Sequence, residues 1–378
     1  FDEYKKAKKR LAFDEFLYLQ SLFNHSKTIY QSEKKAFDLN IDDLFIDLFQ
    51  KQIPFKLTSS QKKCIEEIYN DIKKASPMKR LLQGDVGSGK TIVAAAAVTA
   101  TIKNNKQAAL MAPTEVLAEQ HLTSFKKYLE YFDVDIYLLT SSVKDREDIY
   151  EIIDRGDPVL IIGTHALIQD KVNFNNLGLA IIDEQQRFGV EQRKKLVDND
   201  DFTPHQLVMT ATPIPRTTAL AIYGDLELSI IDELPPGRKK IKSRVLSGGK
   251  RDNKEVYETA YEHLKNDSQI FVVCPYIEES ENSDIKAAEN VFKLYRSEFK
   301  DYKVDLLHGK MKPEEKELKM LQMQNGEIDI LVSTVVIEVG IDITNATLMI
   351  IESAERFGLN QLHQPVSYTH LTLPTIRT

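Results

Sequence analysis

The chain has 378 residues, 42% hydrophobic and 28% charged, enough to build two domains with full cores. A net charge of −7 argues against a surface coated in nucleic acid, while leaving room for a local basic groove. No apolar run is long enough to span a bilayer, and the two cysteines, Cys64 and Cys274, lie far apart with no His or Cys beside them, which argues against a disulfide framework or structural zinc and for a reducing cytoplasm.

Residues 1–50 read as helical. Phe16, Leu19, Leu22 and Phe23 make an apolar stripe expected to pack on the next segment of the chain, and "NIDDLFIDLFQ" suggests a second amphipathic piece after an Asn40 cap. Short apolar runs then alternate with helical patterns. The runs are "RLLQ" before Gly84, "QAALMA", "VDIYLL", "PVLIIG", "LGLAIID" and "HQLVMT", with helices such as "TIVAAAAVTATIKNN" and "EVLAEQHLTSFKKYLEYF" between them. This alternation predicts a parallel sheet covered on both faces. Pro235, Pro236 and Gly237 break the rhythm as a linker does. It resumes with "QIFVVCP", "YKVDLLHG", "IDILVST" and "ATLMIIES". The expected fold class is α/β: a helical segment over 1–50, one lobe over 51–236, a second over 237–364, both with mainly parallel sheets. The basic clusters Lys5–Arg10 and Gly237–Arg244 read as solvated surface.

"LLQGDVGSGKT" fits the phosphate-binding spacing G-x-x-x-x-G-K-[ST], with an apolar strand before it and an Ala-rich helix after it. Gly84, Asp85, Val86, Gly87, Ser88 and Gly89 form the loop. Its glycines let backbone N–H groups wrap a phosphate, helped by the helix dipole. Lys90 would reach the β- and γ-phosphates of ATP and the Thr91 hydroxyl would ligate Mg²⁺. In "LGLAIIDEQQRFG" an apolar strand ends in two carboxylates, where ligands bind in such sheets. Asp183 is expected to hold Mg²⁺ through water, and Glu184 to orient and deprotonate the attacking water. Thr210 and Thr212 in "MTATPIPR" could hydrogen-bond Glu184 and sense the γ-phosphate.

With these residues in hand, the chain resembles a superfamily-two helicase, and specifically the RecG family of bacterial branched-DNA translocases, from about Leu11 to Gln364. "IPFKLTSSQ", "GDVGSGKT", "APTEVLAEQH", "GTHALIQ", "DEQQRFGV", "TATPIPRT", "ELPPGRK", "VCPYIEESE", "LLHGKM" and "STVVIEVGIDITNAT" carry the resemblance in order. It implies two RecA-like lobes with a cleft whose closure follows the γ-phosphate. It implies that Phe55 stacks on adenine, that Gln61 hydrogen-bonds the base, and that Gly340 and Asp342 approach the ribose and phosphates. Gln185 and Gln186 would couple hydrolysis to movement; the family usually has His where this chain has Gln186. Thr114, Glu115, Thr164, His165, His308 and Thr334 would meet the DNA backbone without reading sequence. The implied partner is branched duplex DNA at stalled forks and Holliday junctions, with single-strand DNA-binding protein a further partner, in a cytoplasmic monomer that meets no membrane. Two relatives are weighed against it. The transcription-repair coupling factor Mfd shares much of the motor, and DEAD-box RNA helicases differ at Asp183–Gln186. A nucleotide-binding chain that no longer hydrolyses is the remaining alternative.

In the RecG family "ERFGLNQLHQ" runs into an arginine-rich motif that includes the finger for the γ-phosphate. Here Gln364 is followed by "PVSYTHLTLPT". One codon choice for Val366 to Thr375 resembles a transposase adapter used in sequencing, so residues 365–378 are expected to be a non-native tail that follows a C-terminally truncated second lobe. With the missing initial Met, this reads as an internal fragment that binds ATP and hydrolyses it slowly.

Overall fold

In the computed structural model the chain forms two compact units, Phe1–Pro235 and Pro236–Thr378. The structure describes residues 2–42, 44–85, 87–185, 188–197, 202–211, 226–233, 243–246, 250–275, 281–334, 343, 345–357 and 373–377.

In the first unit, β1 (Lys79–Gly84), β2 (Gln107–Met111), β3 (Asp135–Leu139), β4 (Val159–Gly163), β5 (Leu177–Asp183), β6 (His205–Thr210) and β7 (Glu227–Ile231) form a seven-stranded sheet. The order is β3-β4-β2-β5-β6-β1-β7, with every pair parallel. Side chains alternate across it. Leu160 and Ile162 of β4 join one core with helices α3 (Ser59–Ile72), α4 (Lys90–Lys103) and α5 (Glu115–Tyr128). Val159 and Ile161 join another with α6 (Glu147–Arg155) and with Leu196 of α7 (Val190–Val197). Helices on both faces explain why β2, β4 and β5 read as unbroken apolar runs. The Ala94–Ala97 run of α4 is fully buried, its small side chains admitting close approach to α3, where the buried Tyr69 hydroxyl donates to Ala96 O at 3.0 Å. β7 has no such run; it pairs β1 from the sheet edge, and its mixture of Glu227, Ser229 and apolar residues hides it from pattern reading.

The N-terminal segment departs from expectation. α1 (Asp2–Glu33) is one helix, but Phe16, Leu19 and Leu22 of its stripe are 41–52% exposed and Phe23 is half-buried. Contacts with the sheet domain come at its last turns, through the Lys27–Glu227 ion pair and the Lys79 ammonium 3.7 Å from the centre of the Tyr30 ring. Asn40 caps no helix: α2 runs Phe45–Gln52, and Asn40 exchanges hydrogen bonds with the Asn104 side chain instead. The expected boundary at residue 50 therefore falls inside α2, whose Phe45 and Phe49 belong to the core of the first unit.

Between α1 and α2 an extended strap lies against the N-terminal edge of the sheet. Ala36 N–H donates to Ala75 O, Leu39 N–H to Ile72 O, and Thr203 N–H to Lys35 O. Fully buried His205 fastens it: Nδ1 accepts from Met78 N–H at 3.1 Å and Nε2–H donates to Phe37 O at 2.7 Å. Burial pushes its pKa below the ordinary 6.5, against the opposing pull of the Phe37 carbonyl. The unfolded ring binds its proton near 6.5 and the folded ring only at lower pH, so this contribution to stability is complete above 6.5 and is lost as pH falls through that window. His205→Ala should cost roughly 2–4 kcal/mol, from a cavity plus an orphaned Met78 N–H. It should also flatten the acid-side loss. Urea unfolding on both sides of the window checks both; equal pH slopes in the two proteins would refute the assignment.

The second unit is a six-stranded parallel sheet, ordered β10-β11-β9-β12-β13-β8. Its elements are β8 (Arg244–Leu246), α8 (Lys250–Lys265), β9 (Gln269–Val273), α9 (Glu281–Glu298), β10 (Val304–Leu307), α10 (Pro313–Gln324), β11 (Ile330–Ser333), β12 (Ala346–Ile351) and β13 (Leu373–Arg377). Ile270, Val272, Ile330, Val332, Leu348 and Ile350 pack on Tyr295 and Phe299, which stack with ring centres 5.8 Å apart. Within residues 365–378, β13 pairs β12 on one side and β8 on the other. Without it both strands would present an unpaired edge. Each unit buries its one cysteine, and burial pushes both thiols, Cys64 and Cys274, up to about 12.

Candidate active site

Because every strand of the first sheet is parallel, all their C-terminal ends lie on one edge, and the motif residues gather there. Gly84 ends β1, Asp183 ends β5 and Thr210 ends β6, with β6 between the other two. Thr114 follows β2 and Thr164 follows β4 on the neighbouring stretch of the same edge.

The phosphate loop turns on two left-handed glycines, Gly87 (φ 71°) and Gly89 (φ 90°). Lys90 then opens α4 and curls its ammonium back into the loop, donating to Gly84 O at 2.8 Å and Asp85 O at 3.2 Å. Ser88 is fully buried, and its hydroxyl oxygen has no partner among the described residues; Asp85 and Gly87 are exposed, and Thr91 is half-buried in the first turn of α4. Gln61 braces the loop from α3. Its side chain accepts from Thr58 N–H at 2.9 Å, in a capping box, and donates to Ser88 O at 2.7 Å. This commits both ends of an amide that the family resemblance assigns to the base. A Cβ on Gly89 would stand 2.3 Å from Gln61 Nε2. Gly89→Ala should therefore displace Gln61 and strain the loop by about 1–3 kcal/mol, lowering both melting temperature and nucleotide affinity; unchanged nucleotide affinity would contradict this.

Phe55 is 40% exposed and packs edge-on against Tyr128, ring centres 5.8 Å apart. Gln50 holds its segment, donating to Phe55 O and accepting from Leu57 N–H, both at 2.8 Å. Sequence reading missed Gln50, whose only signal is a polar residue in the last turns of an amphipathic helix.

Asp183 and Glu184 point to different partners. Asp183 is buried, and its Oδ2 accepts from His121 Nε2 at 2.8 Å. Glu184 sits in the left-handed region (φ 49°); its N–H donates to Met209 O and its Oε1 accepts from Ala211 N–H, both at 3.0 Å. The "MTAT" segment thus reaches Glu184 through the Ala211 backbone. Thr210 and Gln185 are both buried, and Gln185 Oε1 has no partner among the described residues. Val86, Gln186, Thr212, Gly340 and Asp342 lie outside the described residues.

The expected DNA contacts fall into two groups. In the first unit Thr114 caps α5, accepting from Leu117 N–H at 3.3 Å; Thr164 is buried, its hydroxyl oxygen without a partner among the described residues, and exposed His165 opens a short 3-10 turn. Glu115 accepts from Ser141 N–H at 2.8 Å, a loop-anchoring use that suits a carboxylate better than a phosphate contact does. In the second unit, Thr334 and His308 follow β11 and β10, and Thr334 accepts from Gly309 N–H at 3.4 Å.

The residues fit a magnesium nucleotide. Two left-handed glycines leave room for oxygen atoms, Ser88 carries a buried oxygen without a partner among the described residues, and Asp183 offers a carboxylate at the same edge. Among the described residues no group of three or more His, Cys, Asp or Glu gathers. No helix among those residues is long and apolar enough to cross a membrane.

Residues 58–220 match the DEAD/DEAH box helicase model and residues 253–371 the helicase conserved C-terminal domain. The chain is 48% identical over 360 residues to the ATP-dependent DNA helicase RecG of Aquifex aeolicus, covering 94% of this chain and 45% of that protein. With its counterpart in Thermotoga maritima it is 44% identical, covering 96% and 46%. It spans about half the length of the curated relatives it matches. A solved structure of RecG bound to a three-way DNA junction superposes with a TM-score of 0.85 at 39% identity, over 99% of this chain and 50% of that one. The helicase MrfA, at 17% identity and a TM-score of 0.62, shares the fold, covering 91% of this chain and 52% of its own. Sequence kinship along nearly the whole chain, with a phosphate loop and paired carboxylates on one sheet edge, makes this chain similar to the RecG helicases.

Proposed function

We propose that this chain is the ATP-driven motor of a DNA helicase that moves on branched duplex DNA in recombination and repair. The observation that carries the reading is the shared strand edge of the first unit, where the loop curled around Lys90 lies two strands from Asp183 and Glu184. Loop N–H groups and the Lys90 ammonium would bind the β- and γ-phosphates. Thr91 and Asp183 would hold Mg²⁺, which when bound supplies positive charge against the phosphate oxygens. Glu184 would accept a proton from the attacking water, its orientation kept by Ala211 N–H. Phe55 would stack on the base, while Gln61 serves the loop and the base from one amide. Thr114 and Thr164 in one unit, with Thr334 and His308 in the other, would grip DNA phosphates. The relative solved on a three-way junction supports branched DNA as the partner. The motor would work as a bacterial cytoplasmic monomer, with single-strand DNA-binding protein as a second partner.

The test is ATP turnover by a longer protein containing this chain, with and without a three-way junction, at several salt concentrations. Turnover should rise with the junction, and apparent DNA affinity should fall steeply with salt while ignoring sequence. Turnover indifferent to DNA would sink the proposal.

A further inference from the structure

His121 has no place in the chemistry above, yet it makes a buried side-chain contact to the carboxylate at the centre of it. Its Nε2 lies 2.8 Å from Asp183 Oδ2, and both side chains are only 11% exposed. A carboxylate can only accept, so the ring donates. That bond occupies one oxygen of Asp183 and restrains the rotation of the group. The ring is itself held from the side by Phe125, one helical turn on, at a centre-to-centre distance of 6.4 Å. Donors of this kind raise metal affinity by orienting the ligand before the metal arrives.

The location of His121 adds a second consequence. It stands on α5, two turns after the capping Thr114, or about 10 Å along a rigid helix. The helix begins at the threonine read above as a DNA-phosphate contact. Two turns on, its imidazole grips the metal carboxylate across 62 residues of sequence.

We propose that His121 is a positioning residue that orients Asp183 for the metal and makes metal affinity depend on the placement of α5, so that DNA bound at Thr114 is felt at the nucleotide. The proposal rests on the reading of Asp183 as the metal-holding carboxylate. By linkage, DNA must then change metal affinity by the same factor as metal changes DNA affinity.

The test titrates Mn²⁺ by electron paramagnetic resonance into this chain with ADP, with and without a linear duplex. His121→Leu keeps an apolar body and loses the donor; His121→Gln places an amide N–H near the Nε2 position. His121→Leu should bind Mn²⁺ roughly 10-fold more weakly, and His121→Gln should regain most of that loss. The duplex should shift Mn²⁺ affinity in the unaltered chain and in His121→Gln but not in His121→Leu. Asp183→Asn separates the two layers. If it leaves Mn²⁺ affinity unchanged, the reading of Asp183 has failed. If it weakens binding while His121→Leu does not, the role of His121 has failed. A glutamine variant as weak as the leucine variant overturns the proposal too, as does a duplex effect that is absent from the unaltered chain or equal in the leucine variant.

Discussion

Lys90→Ala is expected to weaken ATP binding roughly 100-fold or more. A hydrogen bond to a charged group is worth about 1.5–3 kcal/mol, and the ammonium is placed to make two, to the β- and γ-phosphates. Every 1.4 kcal/mol is about tenfold in affinity. Alanine also removes the internal bonds to Gly84 O and Asp85 O that hold the loop's curve. The fold should survive, because Lys90 is the first residue of α4 and the buried stretch begins at Ile92. Calorimetry with ATP, alongside a thermal melt, makes the measurement. Equal affinities in two proteins that melt alike would refute the phosphate-loop assignment.

Glu184→Gln is expected to separate binding from turnover. Glutamine keeps the shape and an acceptor oxygen for Ala211 N–H, and its backbone can keep the bond to Met209 O. It loses the capacity to take a proton. Turnover in a longer protein containing the chain should therefore fall roughly 10²–10⁴-fold, the usual worth of a general base. Magnesium-dependent ATP binding should stay within about threefold, since no phosphate-binding donor is removed. Asp183→Asn should instead weaken the dependence on magnesium. Steady-state hydrolysis at the unaltered rate in Glu184→Gln would remove Glu184 from the chemistry and leave it as a brace for the segment after β6.

Lys90 and Glu184 are legible in the amino-acid sequence because their signals are local. The Gly84–Thr91 loop is a spacing of eight residues between a strand and a helix, and Asp183–Glu184 end an apolar run. Eight of the ten runs that form β1–β6 and β9–β12, all but the edge strands β3 and β10, are legible for a similar reason: central parallel strands covered on both faces must be apolar throughout. β7, with its mixed sequence, and three-residue β8 offer no such pattern. The strand at Leu373–Arg377 is discounted on the origin of its sequence, whereas backbone pairing between β12 and β8 asks only for an extended segment.

By itself the sequence determined which residues are able to do chemistry and the alternation that makes two α/β units. Tertiary structure alone decided what those residues touch. Gln61 meets the loop 27 residues away, His121 meets Asp183 62 residues away, and His205 holds a strap through Phe37 O, 168 residues away. Helix and strand periods report which face of an element is buried. They carry no information about which distant polar group completes a hydrogen bond on that face, because that depends on strand order. In this chain the order places β5 beside β2, the strand that leads into α5, and so brings the imidazole of that helix within 2.8 Å of the carboxylate.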